Sequence, residues 1–147
     1  MTPQNPAYAQ LVRQLFAQAA FVNDLGIQLT DVGPGWCTSE LVVARRHWQQ
    51  DDLIHAGVIA TMADHTAGAA AGSLIRAHEY VLTVEFKINL LRAAQGERLT
   101  CRAQVLKPGR TITVAESEVF VHGQGDVKLV AKATVTLMTL SKTKDEG

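Results

Sequence analysis

The chain has 147 residues, and its 14 Lys plus Arg balance its 14 Asp plus Glu, so the formal net charge is zero. That length suits a single domain spanning 1–147 with a real core, and the balance argues against a nucleic-acid binder, which shows a basic face. Cys37 and Cys101 lack metal or disulfide-framework spacing, nothing at the N-terminus resembles a signal peptide, and no uncharged apolar run reaches the roughly 18 residues of a membrane span, so a cytoplasmic protein with no membrane partner is expected.

Residues 6–20 predict a helix, because Ala7, Leu11, Val12, Leu15, Phe16 and Ala19 recur at helical spacing and Pro6 suits the first turn. Asn23 to Leu25 leads into a strand over 26–32. Gly33-Pro34-Gly35 is a turn, and a second strand follows over 36–44. Residues 45–53 form a polar loop with Gln49, Gln50, Asp51 and Asp52. A long helix is predicted over 56–77. Four strands then follow, over 81–93, 98–106, 111–121 and 127–140, joined by short links that predict a meander of hairpins. In the first of these, Leu82, Val84, Phe86, Ile88 and Leu90 alternate with Thr83, Glu85, Lys87 and Asn89. In the last, Val127, Leu129, Ala131, Ala133, Val135 and Leu137 share a face. The tail, 141–147, is expected to be flexible. One buried helix against a large antiparallel sheet is an α+β arrangement.

The central helix carries the chemistry. It is apolar on nearly every side, which marks a buried helix, yet Asp64 and His65 stand in its middle. A carboxylate in such a place is costly, and a costly group is a candidate functional group. Asp64 suits a general base acting on water, or a nucleophile. The helix begins near Gly57, whose bare amide at the positive end of the macrodipole suits a developing oxyanion. Seven residues separate Gly57 from Asp64. They share a face but lie about 10 Å apart along the axis, too far to act on one carbonyl. Two antiparallel helices across a two-fold axis would close that gap, which predicts a homodimer with composite sites. Gly68 and Gly72 each cost about 1 kcal/mol in a helix, so close approach or a ligand is expected at them. His65 is expected to line a pocket or an interface, whereas His47, Trp36 and Trp48 give no signal beyond packing.

His55-Ala56-Gly57 followed by Asp64, nine residues after the histidine, resembles the His-Gly-Gly … Asp signature of the phenylacetyl-CoA thioesterase (PaaI-like) family of hotdog-fold acyl-CoA thioesterases. The strand from Leu82 to Arg92 is similar to the strand that follows the helix there. The resemblance covers residues 21–140. It implies a hotdog fold, dimers that pair into tetramers, and hydrolysis of acyl-CoA with no cofactor beyond the coenzyme A of the substrate. By the same resemblance Asp64 is the catalytic carboxylate and Gly57 the polarising amide. His55 shapes the helix start. Gln49 stands where many members carry an Asn that places water or substrate, with Gln50 as its substitute, and Thr83 stands at a water-orienting position. Gly68 and His65 are expected at the substrate, and Arg92, Lys107 and Arg110 are candidates for the CoA phosphates. Ala56 departs from the first Gly of the motif, and Gln49 is one methylene longer than Asn.

Two other readings compete. The same fold could hold or sense an acyl-CoA without turnover, but the retained Asp64 argues against that. A hydroxyacyl-thioester dehydratase would pair a His with an acid on different elements, which His55 and Asp64 do not supply.

Overall fold

The computed structural model describes residues 1–143. The N-terminal helical segment is two helices rather than one. Helix α1 (Tyr8–Gln18) buries Val12 and Phe16, and α2 (Ala20–Leu25) buries Val22. The break falls at Ala19, where ψ is 86°. The Asn23 side-chain amide donates to the carbonyls of Phe16 (3.2 Å) and Ala17 (2.8 Å), so the end of α1 is capped from outside and the chain can turn there. Asn23 to Leu25 is therefore helical, not a lead-in. Gly26, at φ +85°, stops α2 in the left-handed region that glycine tolerates.

Strands β1 (Gln28–Gly33) and β2 (Trp36–Val42) form a hairpin. Helix α3 runs Ala56–Gly72, five residues short of the expected end at Ala77. The Ser73 hydroxyl donates back to Ala70 O at 2.7 Å and accepts from Gly35 N–H at 2.8 Å, which terminates the helix against the β1–β2 turn. Strands β3 (Glu79–Leu90), β4 (Arg98–Lys107), β5 (Ile112–Gly123) and β6 (Asp126–Ser141) complete one six-stranded antiparallel sheet in the order β1-β2-β4-β5-β6-β3. Ser141 closes β6 instead of opening a loose tail, and residues 144–147 lie outside the described residues.

The expected four-strand meander is a three-strand one. β3 does not pair with β4 but crosses to the far side of β6. Three strand spacings separate β3 from β4, about 14 Å, and residues 91–97 can reach about 23 Å when extended. The crossing is tacked down as it goes. Leu91 N–H donates to Val130 O, Ala94 O accepts from Ile54 N–H, and Glu97 O accepts from Val43 N–H.

Two bulges change which faces the apolar side chains take. The β3–β6 register slips between Thr83 and Glu85. Thr83 pairs with the inward Leu137, while Phe86, Ile88 and Leu90 pair with the inward Val135, Ala133 and Ala131. Leu82, opposite Met138, thus faces away from Phe86, contrary to a simple alternation. A second slip brings Val130 into the core and leaves Val127 55% exposed. An extra residue in one strand is a bulge that sequence alternation does not reveal. Cys37 and Cys101 are free thiols on the inner faces of adjacent strands. Burial above all pushes both up to about 12, so they stay protonated.

Candidate active site

The loop before α3 is organised by His47, which no motif or spacing in the sequence singles out. Its ring is buried, accepting at Nδ1 from Ala44 N–H (2.9 Å) and bonding through Nε2 to Leu25 O (2.6 Å). Its carbonyl accepts from His55 N–H. One residue, through its ring and its carbonyl, thus joins the end of α2 to the start of α3. Asp51 and Asp52 take the left-handed conformation in a tight turn, which a short polar side chain tolerates.

His55 is the N-cap of α3. Its Nδ1 accepts from Gly57 N–H at 2.8 Å, so the amide expected to polarise a substrate carbonyl already has a partner in the same motif. A Cβ on residue 57 would sit 2.9 Å from that nitrogen. Glycine is what lets the imidazole fold over the helix start. The Thr61 hydroxyl donates to Gly57 O at 2.7 Å one turn further along.

Asp64 and Thr83 are brought together. The Thr83 hydroxyl donates to Asp64 Oδ1 at 2.7 Å. The bulge at Val84 makes this possible, because it leaves Thr83 on the inward face while the apolar residues beyond it also turn inward. Asp64 is partly exposed and Thr83 exposed, and among the described residues Asp64 enters no ion pair. Its carboxylate has one oxygen held by a neutral hydroxyl and the other open to a solvent or substrate proton.

The remaining candidates spread out. Gln49 and Gln50 are exposed on the turn before α3, at its N-terminal end. His65 points to α1, with its ring edge-on to Phe16 at 4.5 Å between centroids. Its Nε2 is buried without a partner among the described residues. Burial lowers its pKa, and the neighbouring Asp64 only partly opposes that. The helix therefore shows His65 to α1 and Asp64 to β3. Gly68 and Gly72 both have room for a Cβ, the nearest atoms being Leu137 Cδ2 and Leu15 Cδ1 at 3.8 Å, so packing within the chain requires neither glycine. Arg92 lies beyond β3 near the start of α3. Lys107 and Arg110 lie near its other end, since Val105 bonds to Gly35 and Gly35 to Ser73. About 25 Å of helix separates the two groups, and one chain does not gather them. A surface pocket of about 670 Å³ lies between Trp48, Gln95 and Lys128 and holds none of the candidates. Asp52, Glu97 and Asp126 line it with a single cation, Lys128, which pairs with Asp126 at 3.3 Å, and the net negative lining disfavours a phosphate-bearing ligand. The open face of α3 beside β3 is the better site.

Residues 52–128 match the Thioesterase superfamily model. A thioesterase family protein from Silicibacter pomeroyi superposes with a TM-score of 0.90 and is 41% identical, with 91% of this chain and 98% of that one covered. YigI of Escherichia coli, a medium/long-chain acyl-CoA thioesterase, is 30% identical over 105 residues, 63% of this chain and 65% of YigI. The PaaI protein of the Escherichia coli phenylacetic acid degradation operon shares the fold, at a TM-score of 0.83 and 20% identity over 95% of this chain and 98% of that one.

Proposed function

This chain belongs to the Thioesterase superfamily and is a thioester hydrolase; we propose that its substrates are acyl-CoA thioesters and that Asp64 is the carboxylate that acts on them. The hydrogen bond from Thr83 to Asp64 carries the reading. It fixes one carboxylate oxygen and leaves the other to take a proton from water or to attack the carbonyl carbon. Thr83, with its hydroxyl hydrogen bonded to Asp64, still offers its oxygen as an acceptor that orients the water. Coenzyme A is the only cofactor chemistry the reaction needs, and it arrives with the substrate.

The thioester carbonyl needs a donor as negative charge builds on its oxygen. Gly57 N–H supplies it when the carbonyl takes the place of His55 Nδ1. That exchange replaces one acceptor by another, so the amide is never left unsatisfied. Because about 10 Å of helix separates Gly57 from Asp64, the two act on one substrate only across two copies. The free edge of β3 supports such a pairing. It is the last strand of the sheet, and Leu82, Val84, Phe86 and Leu90 on it are 53%, 57%, 40% and 51% exposed. A long apolar edge strand is a template for a second chain. Antiparallel pairing there gives a homodimer, and two dimers give a tetramer. In that arrangement Lys107 and Arg110 of the partner subunit come to the same end as Arg92, where the CoA phosphates would lie.

Free-thiol release from a panel of acyl-CoA substrates tests the activity, and Asp64→Asn tests the residue. The substitution lowers kcat at least about 100-fold, the low end for loss of a general base, while acyl-CoA binding persists. Wild-type hydrolysis by Asp64→Asn would remove the assignment. A panel with no thiol release would instead point to a module that holds acyl-CoA.

A further inference from the structure

Helix α3 is built almost wholly of small apolar residues, and such a surface does not by itself fix how a helix is turned or how far it slides. Yet three hydroxyls are sealed in the core behind the stretch of α3 that carries Asp64. Ser39 on β2, Thr66 on α3 and Ser117 on β5 are 1%, 0% and 0% exposed. Thr66 donates to Met62 O at 2.7 Å, so its bond to Ser39, also 2.7 Å, has Ser39 as donor. Ser117 donates to Ala63 O at 2.7 Å. Both Thr66 and Ser117 border the Cys101 thiol, and Cys101 lies opposite Ser39 in the β2–β4 register. The hydroxyls thus form one cluster on the back of the helix, reaching the residues on either side of Asp64. A buried hydroxyl is costly unless bonded, and aliphatic residues would fill the same space, so the directional bonds need a use.

We propose that Ser39, Thr66 and Ser117 are positioning residues: two strands grip α3 through them and set its rotation and register, which holds Asp64 against Thr83. The kinetic arm of this proposal rests on the reading of Asp64 as the catalytic carboxylate. Magnitudes favour an effect. A carboxylate on α3 lies about 5–6 Å from the helix axis, so a rotation of about 20° carries it about 2 Å. A misplacement of about 1 Å can cost a factor of about 100 in rate. The clamp is also placed to control that rotation, because Thr66 projects about 160° round the helix from Asp64 and Ala63 about 100°.

The test compares Ser117→Ala with the paired Ser39→Ala/Thr66→Val, which removes both partners of one bond and leaves no orphaned hydroxyl. Expected are a fall in kcat of at least about 10-fold for the combined triple variant, a KM within about threefold, and a folded protein by thermal melting. Thr66→Ser, which keeps the hydroxyl, retains kcat within about twofold. A triple variant that melts as a folded protein with kcat within twofold of wild type overturns the proposal. So does a Thr66→Ser variant as slow as Thr66→Val. A second arm needs no activity. In a crystal structure of Ser117→Ala or of the triple variant, Asp64 Oδ1 and Thr83 Oγ1 separate beyond hydrogen-bond distance. An unchanged 2.7 Å contact overturns the clamp whatever Asp64→Asn does to turnover.

Discussion

At the scale of single residues, α3 and its N-cap carry two histidines with opposite burdens. His55 is exposed and serves the helix start, whereas His65 is covered by Phe16 and has a buried nitrogen with no partner among the described residues. Burial holds the His65 pKa below its ordinary 6.5. The unfolded chain therefore binds a proton at His65 more readily than the folded one, and stability rises with pH through that window. His65 favours the fold fully above about 6.5, and that contribution is lost as pH falls toward its lowered folded pKa. Melting temperatures from pH 7.5 to pH 5 should fall, and His65→Leu, which keeps an apolar contact for Phe16, should flatten the slope. An equal slope in both proteins would assign the acid sensitivity to other groups. Asp64, Gly57 and His55 were legible in the sequence because a charge inside an apolar helix, and a histidine and glycine at its start, stand out by type and spacing. His47 was not legible. Its role comes from carbonyls at Leu25 and contacts at Ala44 and His55 that only folding brings near.

The elements show where periodicity works and where it stops. Alternation located β4 well, since Leu99, Cys101, Ala103 and Val105 are all buried. It failed in β3 and β6 because one extra residue at a bulge reverses every face beyond it. It also could not tell that β3 docks on β6, because a short link resembles a hairpin whether or not its strands pair. The break at Ala19 hid for a related reason: the Asn23 side chain that permits it sits four residues away. On α3, the spare room at Gly68 and Gly72 makes a differential prediction. Alanine at either position should stabilise the protein by about 1 kcal/mol, measured by urea unfolding. Only Gly68→Ala should disturb turnover, because Gly68 is partly exposed one turn beyond Asp64, whereas Gly72 is buried with Leu15 above it. Equal kinetics in both variants would separate Gly68 from the substrate.

For the whole molecule, the proposed pairing at the β3 edge would tie assembly to activity. Lysines at Leu82 and Val84 should block edge pairing by charge, leaving a monomer in sedimentation experiments at concentrations where the native protein is expected to sediment as a larger species. That monomer retains Asp64, Thr83 and Gly57, yet it should release no thiol if the site is shared. Full turnover by a proven monomer would show that one chain suffices. No described helix is long and apolar enough to cross a membrane. The pairing of β3 with β6 also bears on how the protein is made. Thr83 meets Asp64 only when β3 has a neighbour to lie on, and that neighbour is translated after β4 and β5. On the ribosome, the strand bearing Thr83 has no sheet partner until the β6 segment emerges from the exit tunnel. The carboxylate and its hydroxyl partner are therefore united late in biosynthesis, and a nascent chain stalled before residue 126 holds every proposed catalytic residue without a working centre.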